Sequence, residues 1–230
     1  ERDFGVNARF GRPRVSYRER VKGEGSGEGV FDKKIGEVSV SGRARVRVEP
    51  RPRDAGDRSV PAIEVEIGTH DSLFPEEVRK EIEQVLIGGC EAGGSYGYPV
   101  VDTKVIVEEL VVGDAPDPLV PISASLSIAL RYALEDAGTS MLEPIMRLEV
   151  RVPEPSLGAV VKDLSSRRAE IRETTVAAGN LSVVRGLAPL AEMFGYSTGL
   201  RSLSQGRGTF SLEPFDYAPM PEGAGPEIAY

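Results

Sequence analysis

Met146-Arg147-Leu148-Glu149-Val150-Arg151-Val152 alternates apolar and charged side chains without a break. A period of two belongs to a β-strand with one face buried and the other wet. Downstream, Leu157, Val160, Val161 and Leu164 stand at i, i+3, i+4 and i+7, one apolar stripe of a helix. Two strand-like runs, residues 171–178 and 181–188, flank Gly179-Asn180, a two-residue hairpin signal. A helical segment over residues 189–204 and a strand over 208–215 complete the order βαββαβ. That is the split motif of ferredoxin-like domains, a fold that hosts many functions and by itself names none.

Upstream of the same stretch the pattern is also α+β. Leu126, Leu130, Ala133 and Leu134 predict a helix over residues 123–136, stopped by Gly138, and a Pro-rich loop, 114–121, precedes it. An apolar strand is expected over 100–107. Before that, Pro75 at the first helical position, Glu76 and Glu77 in the first turn and Gly88 beyond the end delimit another helix, with Val78, Ile82, Val85 and Leu86 on its apolar face. Arg43, Arg45 and Arg47 alternate with Ala44, Val46 and Val48, which puts three guanidiniums on one face of a strand. That face is either a solvated surface on an antiparallel edge or an edge turned toward RNA. Residues 15–19 read as a short strand. Residues 23–29 hold a glycine at every second position, yet lack the Gly-Lys-Ser/Thr that a phosphate loop requires, so a flexible loop is expected. The boundary between the two α+β units is expected within residues 138–146.

Composition narrows the chemistry. The chain has 230 residues, 40% apolar and 28% charged, a globular balance with no apolar run near the roughly 20 residues that span a bilayer. Cys90 and His70 are the single cysteine and histidine, so no internal disulfide forms and no zinc site of the usual ligand count can be assembled. His70 reads as a surface or loop residue, and the lone cysteine fits a reducing, intracellular compartment. A net charge of −8 argues against nonspecific nucleic-acid binding but leaves local basic patches open. The first residue is Glu1 and no secretory signal opens the chain, so a piece excised from a longer protein is expected.

Four strings resemble the elongation factor G family and occur in that family's order. They are Gly97-Tyr98-Pro99-Val100-Val101-Asp102, Leu142-Glu143-Pro144-Ile145-Met146 and Asp163-Leu164-Ser165-Ser166-Arg167-Arg168. The longest runs from Pro189 to Thr198, with Leu200-Arg201-Ser202 and Gly206-Arg207-Gly208 beyond it. Within it, Met193, Phe194 and Tyr196 read as packing residues. The resemblance implies the end of a preceding domain in residues 1–11 and a ribosomal-protein-like α+β domain, the family's fourth, in 12–141. A ferredoxin-like domain, the family's fifth, takes 142–218, and a flexible tail 219–230. It further implies a ribosome-binding C-terminal portion of a translational GTPase acting in translocation, partnered by ribosomal RNA and ribosomal proteins. Such a protein is a cytoplasmic monomer without membrane attachment. GTP and magnesium would bind an upstream domain, leaving no catalytic, cofactor or metal residue in these 230.

The contact candidates that follow are Arg43, Arg45, Arg167, Arg168, Arg201 and Arg207. Arg167 and Arg168 read as an exposed pair that either caps a helix or faces the GTPase centre. Two tip loops depart from the family. Residues 36–42, including Val38, Ser39, Val40 and Ser41, stand where the family carries a glycine-rich loop. Residues 114–121, with Asp114 and Asp117, stand where it carries a histidine-containing one. Carboxylates and stiffening prolines suit a phosphate-facing tip poorly, which favours a specialised paralogue used in recycling or stress. The alternative of another class, an enzyme or ligand-binding protein on a ferredoxin-like scaffold, finds little support, because the acidic residues are scattered without an inward-facing pair.

Overall fold

The computed structural model describes residues 15–35, 38–52, 54–57, 61–68, 74–113, 115–177 and 179–221. Expectations for residues 1–11, Gly36, Glu37, His70, Asp114 and the tail beyond Pro221 lie outside them. Two sheets organise the chain. A four-stranded sheet has the order β2-β3-β5-β4, from β2 (Gly25–Ile35), β3 (Val38–Pro50), β4 (Ile63–Ile67) and β5 (Thr103–Val112). The helices α1 (Glu76–Ala92) and α2 (Leu119–Ala137) cover one of its faces. Ala44, Val46 and Val48 of β3 meet Ile82, Leu86, Leu126 and Leu130 there, and every one is buried. Each such large side chain taken from water stabilises the fold by about 1.5–3 kcal/mol.

The second sheet has the spatial order β9-β6-β8-β7, from β6 (Thr139–Pro153), β7 (Glu170–Ala177), β8 (Leu181–Pro189) and β9 (Thr209–Pro219). Two helices, α3 (Leu157–Ser166) and α4 (Tyr196–Leu203), lie on one face, giving the expected βαββαβ order. Val160 and Leu164 of the predicted stripe are fully buried against Leu148, Val150 and Val152. At the hairpin both Gly179 and Asn180 take positive φ, 80° and 57°.

A short strand, β1 (Arg18–Val21), joins this second sheet, pairing antiparallel with Leu142–Thr139 at the start of β6. It begins three residues later than the run read from sequence. On its other side Glu19 is bridged in parallel to Val100, at the approach to β5. The chain then turns at Asp102, φ 52°, before entering β5.

Several expectations are corrected. Residues 25–29 are no loop: they form half of β2, and Gly25, Gly27 and Gly29 all face α2. A Cβ on any of them would collide with backbone of that helix, at Ala133 and Ala137, Ala129, and Ser125 respectively. A strand advances about 6.6 Å in two residues and a helix about 6 Å in four, so alternate glycines match successive helical turns. The predicted stop at Gly88 does not occur, and α1 continues to Ala92 and ends before Gly93. Gly89 sits against Leu130, where tight helix packing overrides weak propensity. Three residues of the predicted Pro-rich loop, Leu119, Val120 and Pro121, are the first turn of α2. The strand expected from residue 100 starts at Thr103 and runs on to Val112. The helix expected over 189–204 is broken: a 3-10 turn, Leu190–Met193, is separated from α4 by Phe194 in extended conformation and Gly195 at φ 73°.

Candidate functional site

The six arginines and two tip segments fall into three places. The first is the turn after α3. Arg167 closes the helix, and Arg168 takes φ 58°, a left-handed conformation uncommon outside glycine. That backbone aims the two guanidiniums inward rather than out. Arg168 binds Glu143 bidentately, Nη1–Oε1 2.6 Å and Nη2–Oε2 2.9 Å, and donates from Nε to Glu192 at 3.0 Å. The Glu143 side chain is only 4% exposed. Hydrogen bonding to Glu143 first, and to Glu192 after it, raises the Arg168 pKa further above its already high value. Arg167 binds Asp163 at 2.9 Å and the Glu192 carbonyl at 2.7 Å, with its guanidinium 5.2 Å from the Tyr196 ring. The expectation of an exposed pair is therefore corrected. Both cations are satisfied within the molecule, where they clamp the 3-10 turn and the start of β6 to the end of α3.

The second place is the segment that this clamp holds. Met193, Tyr196 and Leu200 are buried, as packing residues, but Phe194 is 42% exposed. The expectation that Phe194 packs is corrected, and its exposure is the feature that sequence reasoning missed. Gly195 carries the available signal, since a left-handed residue there turns the chain and leaves the preceding ring outside. Arg201, in the last turn of α4, and Arg207, after it, are both exposed, and Arg201 has no ion-pair partner among the described residues. Among the described residues the Arg207 guanidinium reaches only the Gln205 amide oxygen, at 3.5 Å.

The third place is the open face of the four-stranded sheet. Strand β3 lies in its interior, paired on both sides, so the edge expected for Arg43, Arg45 and Arg47 is corrected. Glutamates of its own strand, of the neighbouring strands and at the position just before β2 meet them. Arg43 and Arg45 share Glu28 at 2.9 and 3.5 Å, and Arg47 contacts Glu108 and Glu49 at 2.8 Å each and Glu24 at 3.4 Å. A strand face so neutralised is a solvated ion lattice rather than a cationic patch. The tip residues Val38, Ser39, Val40 and Ser41 are likewise no loop; they open β3, in register with Ile35, Lys34, Lys33 and Asp32. Asp117 accepts a hydrogen bond from the Leu119 N–H at 2.9 Å and so helps start α2. The tip bears two further exposed cations, Lys33 and Lys34, which the sequence reading passed over.

No group of three or more His, Cys, Asp or Glu side chains is arranged to hold a metal ion among the described residues. Cys90 is buried, and that burial pushes its thiol up to about 12, which makes it unreactive at neutral pH. No helix of the described residues is long and apolar enough to cross a membrane.

Comparison with known proteins places this geometry. The family model for the elongation factor G C-terminus matches residues 140–226. Elongation factor G of Thermotoga maritima is 35% identical over 228 residues, 99% of this chain and 32% of that protein. Elongation factor G of Aquifex pyrophilus is also 35% identical, over 227 residues with the same coverage. The chain thus spans about a third of the length of the curated relatives it matches. A crystal structure of a Thermus thermophilus protein superposes with a TM-score of 0.80 at 30% identity, over 93% of this chain and 31% of the other. Residues 140–226 match the model of the elongation factor G C-terminus, and the chain is similar to elongation factor G over 99% of its own length.

Proposed function

We propose that this chain is the ribosome-binding C-terminal portion of a translational GTPase that acts in elongation, at the translocation step. The observation that carries the reading is similarity to elongation factor G that runs through both sheets rather than through the β6–β9 motif alone. Residues 12–141 and 142–218 then correspond to the family's fourth and fifth domains. Exposed residues flanking both ends of α4 support the same reading. A projecting aromatic ring at Phe194 offers a base-stacking surface, and Arg201 and Arg207 offer donors for phosphate. Nucleotide hydrolysis belongs to an upstream domain with GTP and magnesium, and this chain works as a cytoplasmic monomer that contributes contacts instead of chemistry.

The test is co-sedimentation of the 230-residue chain with bacterial ribosomes, with intact elongation factor G and a non-hydrolysable GTP analogue as competitor. Displacement is expected, and Arg201→Glu with Arg207→Glu should weaken pelleting while leaving the melting temperature in place. Retention insensitive to both the competitor and the double substitution would overturn the reading.

One observation favours a specialised role as a second reading. At the first tip β2 and β3 stay paired as far as Ile35 and Val38, and Val40 is buried, which leaves less exposed backbone along β3 than a glycine-rich loop would. Single-round translocation by the full-length parent, measured beside its ribosome-dependent hydrolysis, distinguishes the two: hydrolysis without efficient translocation supports specialisation, and translocation at the rate of a housekeeping factor excludes it.

A further inference from the structure

Glu19 is a carboxylate with no solvent exposure, placed where the two sheets meet. Its strand is shared. Neighbouring residues of β1 pair with β6 of the second sheet, while the Glu19 N–H donates to the Pro99 carbonyl and its carbonyl accepts from the Val101 N–H. Residues 99–101 lead directly into β5 of the first sheet. The carboxylate repeats this bridging with its side chain. One oxygen accepts the backbone N–H groups of Tyr96 and Tyr98, at 3.1 and 2.8 Å, from the loop between α1 and β5. The other accepts the hydroxyl of Thr139, the first residue of β6. Gly94 makes the space, since a Cβ there would overlap the same oxygen. A carboxyl group taken from water is held in place only where such donors replace its hydration.

We propose that Glu19 is a positioning residue that locks the angle between the two sheets, and so the angle at which the tip and the end of α4 are presented. The inference goes beyond the ribosome reading and stands without it. Removing the carboxylate strands two N–H groups and one hydroxyl without an acceptor at the junction. Elsewhere the sheets are tied by the main-chain pairing of β1, by the direct passage from Gly138 to β6, and by contacts such as the Gly56 N–H donating to Asp216 at 2.7 Å.

The experiment measures the distance between spin labels on cysteines introduced at the exposed positions Gln84 of α1 and Lys162 of α3. Cys90, buried and with its thiol pushed up to about 12, stays unlabelled. The parent chain is expected to give one narrow distance distribution. Glu19→Ala should lose that single peak to a broad or shifted one, and Glu19→Gln, which keeps an acceptor for both N–H groups, should restore it. Thr139→Val, which removes only the hydroxyl bond, covers the case in which Glu19→Ala does not fold, and should broaden the peak less. An unchanged narrow peak in folded Glu19→Ala, or in Thr139→Val if the alanine variant does not fold, overturns the proposal. Failure of the parent chain to bind ribosomes would leave this distance result standing, so the two readings fail separately.

Discussion

At the scale of the residue, two side chains carry opposite lessons. Arg168 pays for a left-handed backbone with a bidentate bond to a buried carboxylate. Truncating it leaves the Glu143 carboxyl buried and without that partner. Breaking a buried pair from one side costs about 3–5 kcal/mol, and the partial exposure of Arg168 moves the expectation to the lower part of that range. Arg168→Ala is therefore expected to lower stability by about 3 kcal/mol in urea denaturation. A stability within a few tenths of a kcal/mol of the parent would show that the clamp is idle. Tyr196 is the reverse case. Its ring is wholly buried, packed edge-on to Phe210 at 5.0 Å, and its hydroxyl has no hydrogen-bond partner among the described residues. Burial raises its pKa, so it stays protonated. Tyr196→Phe removes an unsatisfied polar group and keeps the packing, and a gain of about 1 kcal/mol is expected. A measured loss would reveal a partner for that hydroxyl.

At the scale of the element, β2 shows how packing can select a sequence that local propensity disfavours. Glycines at alternate positions weaken a strand by roughly 0.5–1 kcal/mol each relative to alanine. What offsets this is a close approach of α2 that no side chain permits, with Ser26 also donating from its N–H to Asp136 near the end of that helix at 2.9 Å. Gly27→Ala should therefore destabilise, against the propensity scale, by about 3 kcal/mol from overpacking. The same change at Gly23, whose added Cβ meets nothing, should have little effect. Equal thermal shifts for the two variants would contradict the packing account. The helices follow the same rule in milder form, since the apolar stripes of α1 and α3 are legible in sequence but the stop of α1 is not. A glycine ends a helix only when nothing beyond it is held, and beyond Gly88 the face of α1 continues into the buried Cys90.

At the scale of the whole molecule, both sheets turn an ion-paired open face to solvent. Hydrogen bonding to Arg43, to Lys104 and to Arg185 respectively holds Glu28, Glu66 and Glu149 below the usual carboxylate range. A carboxyl whose pKa is lowered on folding adds stability that is fully present above its unfolded value, about 4.3 for glutamate. That stability is lost as pH falls through the lower folded value. The melting temperature is expected to change little between neutral pH and about pH 5, then to fall on further acidification. A variant carrying Glu66→Gln and Glu149→Gln should start lower and fall less steeply. Added salt should flatten the difference, because exposed pairs are screened. Parallel curves for parent and variant at every pH would remove these pairs from the stability of the fold.

Whatever depends on neighbours along the chain is legible before folding. The alternation through Met146–Val152, the stripe of α3 and the Gly179-Asn180 turn specify βαββαβ because each records which face of a local element is buried. Tertiary structure decided everything that depends on a distant partner. Glu19 and Thr139 are 120 positions apart, Ser26 and Asp136 110, and no window of sequence contains both members of either pair. The same holds for the arginines. Their alternation is visible, but whether a guanidinium meets RNA, water or a glutamate is settled by the strand laid beside it. Arg168 reads as a surface cation until Glu143, from the opening of β6, is folded against it. Periodicity carries the burial of a face; electrostatic satisfaction and close approach are properties of pairs, and pairs exist only once the chain has closed on itself.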